Sequence, residues 1–171
     1  MTETPQDFNF DAWLDDAQRP ERAVTVYQKA GLIADLDRLA ERIENADDDE
    51  VDGPSMGGGV GQLRADYAKL AQQFHDSALT FRIVGHDEEQ KREFAKANPD
   101  ATATELGRIV LADAIRSPKV TADQLKRLAE KVGEVQFSKI LVAYHQASTE
   151  LPSVSADFLP KRSTPDDGGE S

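Results

Sequence analysis

Two apolar stripes at helical spacing, separated by an acidic loop, limit the folds open to this chain. Apolar residues recur every three or four positions from about 30 to 46, and again from 60 to 77. Isolated helices of about 15 residues are marginal in water, so each stripe is expected to cover the other. The stripes consist of Leu32, Leu36, Leu39 and Ile43, then Val60, Leu63, Tyr67, Leu70, Phe74 and Ser77.

The segment 47–59 between the stripes begins with three aspartates and a glutamate and ends with three glycines. Like charges repel and glycine carries no side chain to pack, so this composition predicts a solvated loop. Two helices of similar length joined by such a loop are typical of an antiparallel helical hairpin.

Segments 23–28 and 79–84 flank the two stripes and are rich in alternating β-branched and aromatic residues, which predicts strands. An antiparallel hairpin brings its outer ends together. The two segments are therefore expected to pair as a two-stranded antiparallel β ribbon at the base of the hairpin.

The second half of the chain carries three capping signals, each followed by an apolar helical pattern and a stop. A last helix is predicted from about 134 to 148. The signals are Asp87 with Gln90, Thr102 with Glu105 and Thr121 with Gln124, and the stops are Asn98-Pro99, Ser117-Pro118 and Gly133.

These patterns predict a mainly α fold with four parts. Residues 1–22 form an N-terminal arm with a short helix, and 23–85 a strand, helical hairpin and strand with the acidic glycine-rich loop 47–59. Residues 86–151 form a small helical bundle, and the polar segment 152–171 is expected to be a flexible, disordered tail.

Charge excludes several classes of partner. The net charge is −12, and residues 1–60 hold 15 acidic and 5 basic residues, a net of −10. Such a surface repels phosphate backbones and anionic bilayers, so neither nucleic acid nor membrane is an expected partner. The chain has no cysteine, and its sequence shows no secretory signal and no apolar run near the ~20 residues that span a bilayer.

No motif in the sequence points to catalysis. His75, His86 and His145 are far apart and are read as ordinary surface or interface histidines. The glycines at 57–61 lack a Walker ending, and the acids at 47–52 lack the EF-hand pattern. We therefore expect no catalytic, cofactor-binding or metal-binding residues, and a protein that is not an enzyme.

The order of segments resembles the tail assembly chaperones of long-tailed (siphovirus-type) phages that infect actinobacteria. The resemblance rests on Asp11–Ala17, on Arg19-Pro20-Glu21-Arg22-Ala23-Val24-Thr25-Val26-Tyr27 before the striped helix, and on Ala78–Gly85 before a helical C-terminal half. It extends over about residues 10–150. It is a pattern of order and spacing, with no invariant catalytic motif.

The resemblance implies a non-enzymatic role without a cofactor. Such chaperones act in the cytoplasm of the bacterial host, bind the long tape-measure protein, keep it soluble and promote assembly of tail tube subunits around it. They are not expected in the mature virion. A frameshifted longer form of the protein is a further expected partner, because Gly168-Gly169-Glu170 fits a slippery run of guanines and adenines. A homo-oligomer is also compatible with the sequence.

Six apolar residues are the candidates for partner binding. Helix-in-groove recognition would place an amphipathic client segment against the last helix of the bundle. Aromatic residues of the N-terminal arm are expected to dock onto the body or onto a partner, the body being favoured. The candidates are Phe137, Ile140, Leu141 and Tyr144 on the last helix, and Phe10 and Trp13 on the arm.

Two other functions stay open at this point. A structural phage tail or connector subunit would be present in mature particles, although tube-forming proteins are usually rich in β-structure and only two strands are predicted. An acidic regulatory protein that binds a basic partner would use the charge of residues 1–60, and its binding would weaken steeply with salt.

Overall fold

The computed structural model describes residues 8–49 and 59–151, which are mostly helical with a small antiparallel sheet. The helices are α1 (Phe10–Asp16), α2 (Leu32–Asp49), α3 (Gly59–Asp76), α4 (Glu88–Ala97), α5 (Ala103–Ala114), α6 (Ala122–Val132) and α7 (Glu134–Thr149). The strands are β1 (Glu21–Tyr27), β2 (Ala78–Val84) and β3 (Ile115–Ser117).

The sheet has the order β1-β2-β3, so β2 lies in the middle. β1 and β2 are antiparallel along their whole length, from the Glu21–Val84 pair to the Tyr27–Ala78 pair. The third strand was not expected from the sequence, which predicted a ribbon of two strands.

β3 replaces what was predicted as the last turn of α5. The helix ends at Ala114, and Ile115 pairs with Ile83 of β2. Proline disfavours helical backbone in the residue before it, which here is Ser117, and the β-branched Ile115 suits a strand. Ile115 is fully buried in the core, so tertiary packing decides its conformation.

One face of the sheet and helices α5, α6 and α7 enclose the hydrophobic core. The core draws on both of the segments that the sequence separates, 23–85 and 86–151, because α7 packs across β1 and β2. Its buried members are Val26, Phe81, Ile83, Leu111, Ala114, Ile115, Leu125, Ile140 and Ala143.

The side chain of Gln136 on α7 completes the outer edge of β1. Its Oε1 atom accepts a hydrogen bond from the Tyr27 backbone N–H at 2.7 Å, and its Nε2 atom donates to the Tyr27 carbonyl at 3.0 Å. One carboxamide thus satisfies both backbone groups of an edge residue, as a neighbouring strand would.

Helices α2 and α3 pack on each other, and their apolar stripes are half-buried except for Tyr67, which is exposed. Because Tyr27 pairs with Ala78, the start of α2 and the end of α3 lie at the same end of the sheet. α2 continues to Asp49, so the predicted start of the loop at 47 is wrong. The rest of that loop, residues 50–58, and the predicted tail 152–171 lie outside the described residues.

All three predicted capping boxes are confirmed. In each, the side chain of the capping residue accepts a hydrogen bond from the third backbone N–H of the helix, and the side chain at that third position bonds back. These reciprocal bonds satisfy donors that a helix start leaves free. They fix where α4, α5 and α6 begin and so place the surfaces described next.

Candidate binding groove

An apolar groove of about 530 Å³ lies between α5 and α7, with Lys91 of α4 at its rim. A cavity of this size is within the range that accommodates ligands or anchoring side chains. The groove is lined by Lys91, Ala103, Thr104, Leu106, Gly107, Arg108, Val110, Leu111, Phe137, Leu141 and Tyr144.

Helical periodicity places these residues on facing surfaces. Phe137, Leu141 and Tyr144 follow one another at spacings of four and three, so they line one side of α7. On α5, Ala103, Leu106 or Gly107, and Val110 repeat the same spacing.

Three of the four candidates on α7 therefore come together in the groove. Leu141 is 46% exposed, and Phe137 and Tyr144 are half-buried. Ile140 lies on the adjacent side of the helix, where it is 0% exposed in the core with Ala143. Its side chain has no surface to offer a partner, which an apolar pattern alone does not reveal.

Gly107 leaves part of the groove open. A Cβ atom at this position would meet no heavy atom within 4 Å. A glycine inside a helix costs about 1 kcal/mol relative to alanine, so helix formation does not explain its presence. The absent side chain allows a partner's backbone or a large side chain to approach α5 closely.

Among the described residues that line the groove, the charged ones are Lys91 and Arg108, both cations. Lys91 also forms an ion pair with Glu88, because the Lys91 Nζ atom donates a hydrogen bond to the Glu88 Oε1 atom at 2.9 Å. This hydrogen bond raises the pKa of Lys91 and lowers the pKa of Glu88. A partner segment with apolar anchors and carboxylates beside them would match the groove in both shape and charge.

The two candidates on the arm do not lie in the groove. α1 is capped by Asn9, whose side chain accepts a hydrogen bond from the Ala12 N–H. Phe10 and Trp13 stack with their ring centroids 5.8 Å apart, yet they are 57% and 54% exposed. The favoured expectation that the arm docks onto its own body is therefore wrong for this structure.

A buried histidine lies beneath the groove, and the sequence did not indicate it. His86 is 5% exposed, its Nε2 atom is 2.9 Å from Asp113 Oδ2, and its Nδ1 atom is 3.2 Å from the Tyr144 hydroxyl. The ring of Phe94 meets the imidazole edge to face at 5.4 Å. The reading of His86 as a surface histidine is wrong. The only sequence signal is its position between an apolar strand and the capping residue Asp87.

This cluster joins separate elements and leaves no room for a substrate at the imidazole. Both ring nitrogens have protein partners, and the His86 side chain is 3% exposed. Tyr144 links the cluster to the groove, and burial raises the pKa of its hydroxyl. The arrangement fixes the orientation of Tyr144 at the end of the apolar lining.

A second cavity, of about 680 Å³, lies between α6, the end of β1 and the start of β2. Leu79, 43% exposed, lies on its wall with Leu128 and Val132, and Arg127 and Lys131 lie at its border. The arm enters β1 at Glu21, at the opposite end of that strand.

Among the residues that the structure describes, no group of three or more histidine or carboxylate side chains is arranged to hold a metal ion. Within the same residues, no helix has both the length and the apolar character needed to cross a bilayer.

The chain matches none of the family models, curated proteins or solved structures with which it was compared.

Proposed function

We propose that this protein is a tail assembly chaperone that binds an amphipathic helical segment of the tape-measure protein in the α5–α7 groove. The observation that carries the proposal is the convergence of Phe137, Leu141 and Tyr144 with the apolar side of α5. A surface-accessible apolar groove between two helices suits helix-in-groove recognition, in which anchors at helical spacing enter from one side.

The proposed client is taken from the resemblance in segment order, and the proposed binding mode is taken from the shape of the groove. A tape-measure protein is a very long helical chain, so its unassembled form exposes apolar stripes that would aggregate. A chaperone that covers a segment of an apolar stripe keeps the tape-measure protein soluble until tube subunits polymerise around it. The role requires binding and release and no bond chemistry, so we propose that the protein is not an enzyme.

The remaining parts of the chain have roles in the same proposal. In this proposal α2 and α3 form an antiparallel hairpin, and the like charges of the acidic run 47–50 repel neighbouring chaperones on one client. A frameshifted longer form of the protein is a further partner in this proposal, and it recruits tube subunits. The complex acts in the host cytoplasm and is absent from the mature virion.

Co-expression with the tape-measure protein from the same genome tests the proposal. We expect that protein to become soluble and to co-purify, and the complex to persist at high salt because apolar contacts are not screened. Loss of binding at high salt would favour the acidic regulator, which the charge of residues 1–60 supports. Absence of rescue, with the chain found in purified virions, would favour a structural subunit.

Gly107→Leu tests the groove itself. Because nothing lies within 4 Å of the new Cβ, the leucine occupies groove space without displacing the body. Gly61→Leu is the matched control, since Gly61 is also an open helical glycine and lies on α3, outside the groove. We expect the first variant to lose the tape-measure protein and the second to retain it. Equal retention would exclude the groove as the binding site.

A further inference from the structure

The arm helix α1 presents an apolar side that is largely exposed and that no other helix or strand of residues 8–49 and 59–151 covers. Phe10, Trp13 and Leu14 occupy positions i, i+3 and i+4, so they project together. These three side chains are 57%, 54% and 48% exposed, and Phe8, just before the helix, is 51% exposed. Large aromatic anchors clustered in this way are characteristic of protein interfaces rather than of solvated surface.

The α5–α7 groove complements this side of α1. It is mostly apolar and open at Gly107, where an added Cβ atom would meet no heavy atom within 4 Å. Its charged lining residues, Lys91 and Arg108, are both cations. α1 carries three acidic residues, Asp11, Asp15 and Asp16, and no basic one. Apolar anchors flanked by carboxylates are the chemistry that the groove fits.

Among the described residues that line the groove, none belongs to α1. Arg19 is held by a hydrogen bond from its Nη1 atom to Gln90 Oε1 at 2.6 Å, and Gln90 is adjacent to the rim residue Lys91. Only Ala17 and Gln18 separate α1 from this anchor, and Pro20 keeps Arg19 extended. The arm is thus anchored beside the rim of the groove, while its helix lies outside the lining.

We propose that the arm of one copy binds in the groove of a second copy, and that the reciprocal contact forms a symmetric dimer. Each arm starts beside the rim of its own groove, so two copies that face each other across their grooves exchange arms through one two-fold interface. Both contacts are then identical and close on themselves. This dimer is formed by the arm and the α5–α7 groove, which is the same surface that the proposed function assigns to the tape-measure protein.

Trp13 is the single tryptophan of the chain and reports where the arm lies. Sedimentation equilibrium and tryptophan emission of the full chain, without client, are measured over a dilution series. We expect a dimer with blue-shifted emission at high concentration, and a monomer with red-shifted emission on dilution. Gly107→Leu should weaken dimerisation by more than about tenfold and keep the emission red-shifted, while Gly61→Leu matches the wild type.

Mixing two defective variants provides a second test. Leu14→Asp disables the arm and keeps the groove, whereas Gly107→Leu blocks the groove and keeps the arm. Each variant alone should be monomeric, and an equimolar mixture should form a heterodimer through the one intact arm–groove contact. Recovery of a 1:1 heterodimer supports arm exchange, and its absence overturns it.

Other results overturn the proposal. A monomer with blue-shifted emission would place the arm on its own chain, and a monomer with red-shifted emission at every concentration would leave it undocked. A dimer that Gly107→Leu does not weaken would use another interface. A monomeric wild type that still co-purifies with the tape-measure protein would reject the arm exchange alone and leave the proposed function standing.

Discussion

The Nε2 atom of His86 lies 2.9 Å from the Oδ2 atom of Asp113, and this contact ties the segment after β2 to α5. On the other side of the ring, Nδ1 is 3.2 Å from the hydroxyl of Tyr144 on α7. One side chain therefore connects the central strand with both helices that form the groove. The groove's geometry depends on this connection as well as on the apolar core.

We expect the two partners of this contact to differ in their effect on stability. His86→Ala removes a buried ring and leaves a cavity beneath Phe94, which should lower the free energy of unfolding by about 3 kcal/mol. Asp113→Asn keeps an acceptor on a side chain that is 59% exposed, so the loss should stay below about 1 kcal/mol. Urea unfolding measures both. Equal losses in the free energy of unfolding would mean that the negative charge of Asp113 holds the imidazole ring of His86 in place.

The sequence was sufficient for those elements that local chemistry defines. The capping box at Thr102 and Glu105 and the one at Thr121 and Gln124 formed where the residues predicted them, because a cap requires only residues three positions apart. The alternation in 23–28 and 79–84 located β1 and β2 for a similar reason, since it reflects one buried side of a strand.

Elements that depend on distant contacts were not predictable from the sequence. Ile115 continues a helical apolar pattern, and only its pairing with Ile83 makes it a strand residue. Ile140 and Leu141 are adjacent and equally apolar, yet one fills the core and the other lines the groove. That choice is fixed by how α7 is rotated against the sheet, which no local pattern encodes.

The hydrogen bonds between Gln136 and the backbone of Tyr27 give a second test of the fold. Gln136→Met preserves length and removes both bonds, which leaves a partly buried N–H and carbonyl unpaired. We expect a loss of about 2 kcal/mol in the free energy of unfolding. Gln62→Met is the control, because the side chain of Gln62 donates a hydrogen bond to Asp66 on the exposed surface of α3 and its loss should change stability by less than about 0.5 kcal/mol. Similar losses in the two variants would contradict the edge role of Gln136.

The ionisation of Tyr144 reports on the groove. Burial raises the pKa of its hydroxyl above the ordinary tyrosine value of 10.0, so the neutral form stabilises the fold. This stabilisation is present below the unfolded-state pKa and is lost as pH rises through the folded-state pKa. The difference between the alkaline absorbance titrations of the wild type and of Tyr144→Phe isolates this group. We expect its midpoint above the ordinary value, and a further rise when a bound client covers the groove. A midpoint at or below the ordinary value would contradict this burial.

Two glycines should respond in opposite directions to the same substitution. A Cβ at Gly85 would lie 2.2 Å from the carbonyl oxygen of Ala147, so Gly85→Ala forces α7 away from the end of β2. We expect a loss of about 3 kcal/mol, the upper part of the range for overpacking, because the obstacle is backbone. Gly107→Ala meets nothing within 4 Å and should gain about 1 kcal/mol from helix propensity.

Gly61→Ala provides the comparison for both, since it adds the same methyl group to a helix far from α7 and should also stabilise the protein. Urea unfolding of the three variants gives the signs directly. A neutral Gly85→Ala would show that the C-terminal end of α7 does not pack against the segment after β2. In that case Tyr144 and Leu141 would not be held against α5, and the groove would lack the support on which both proposals depend.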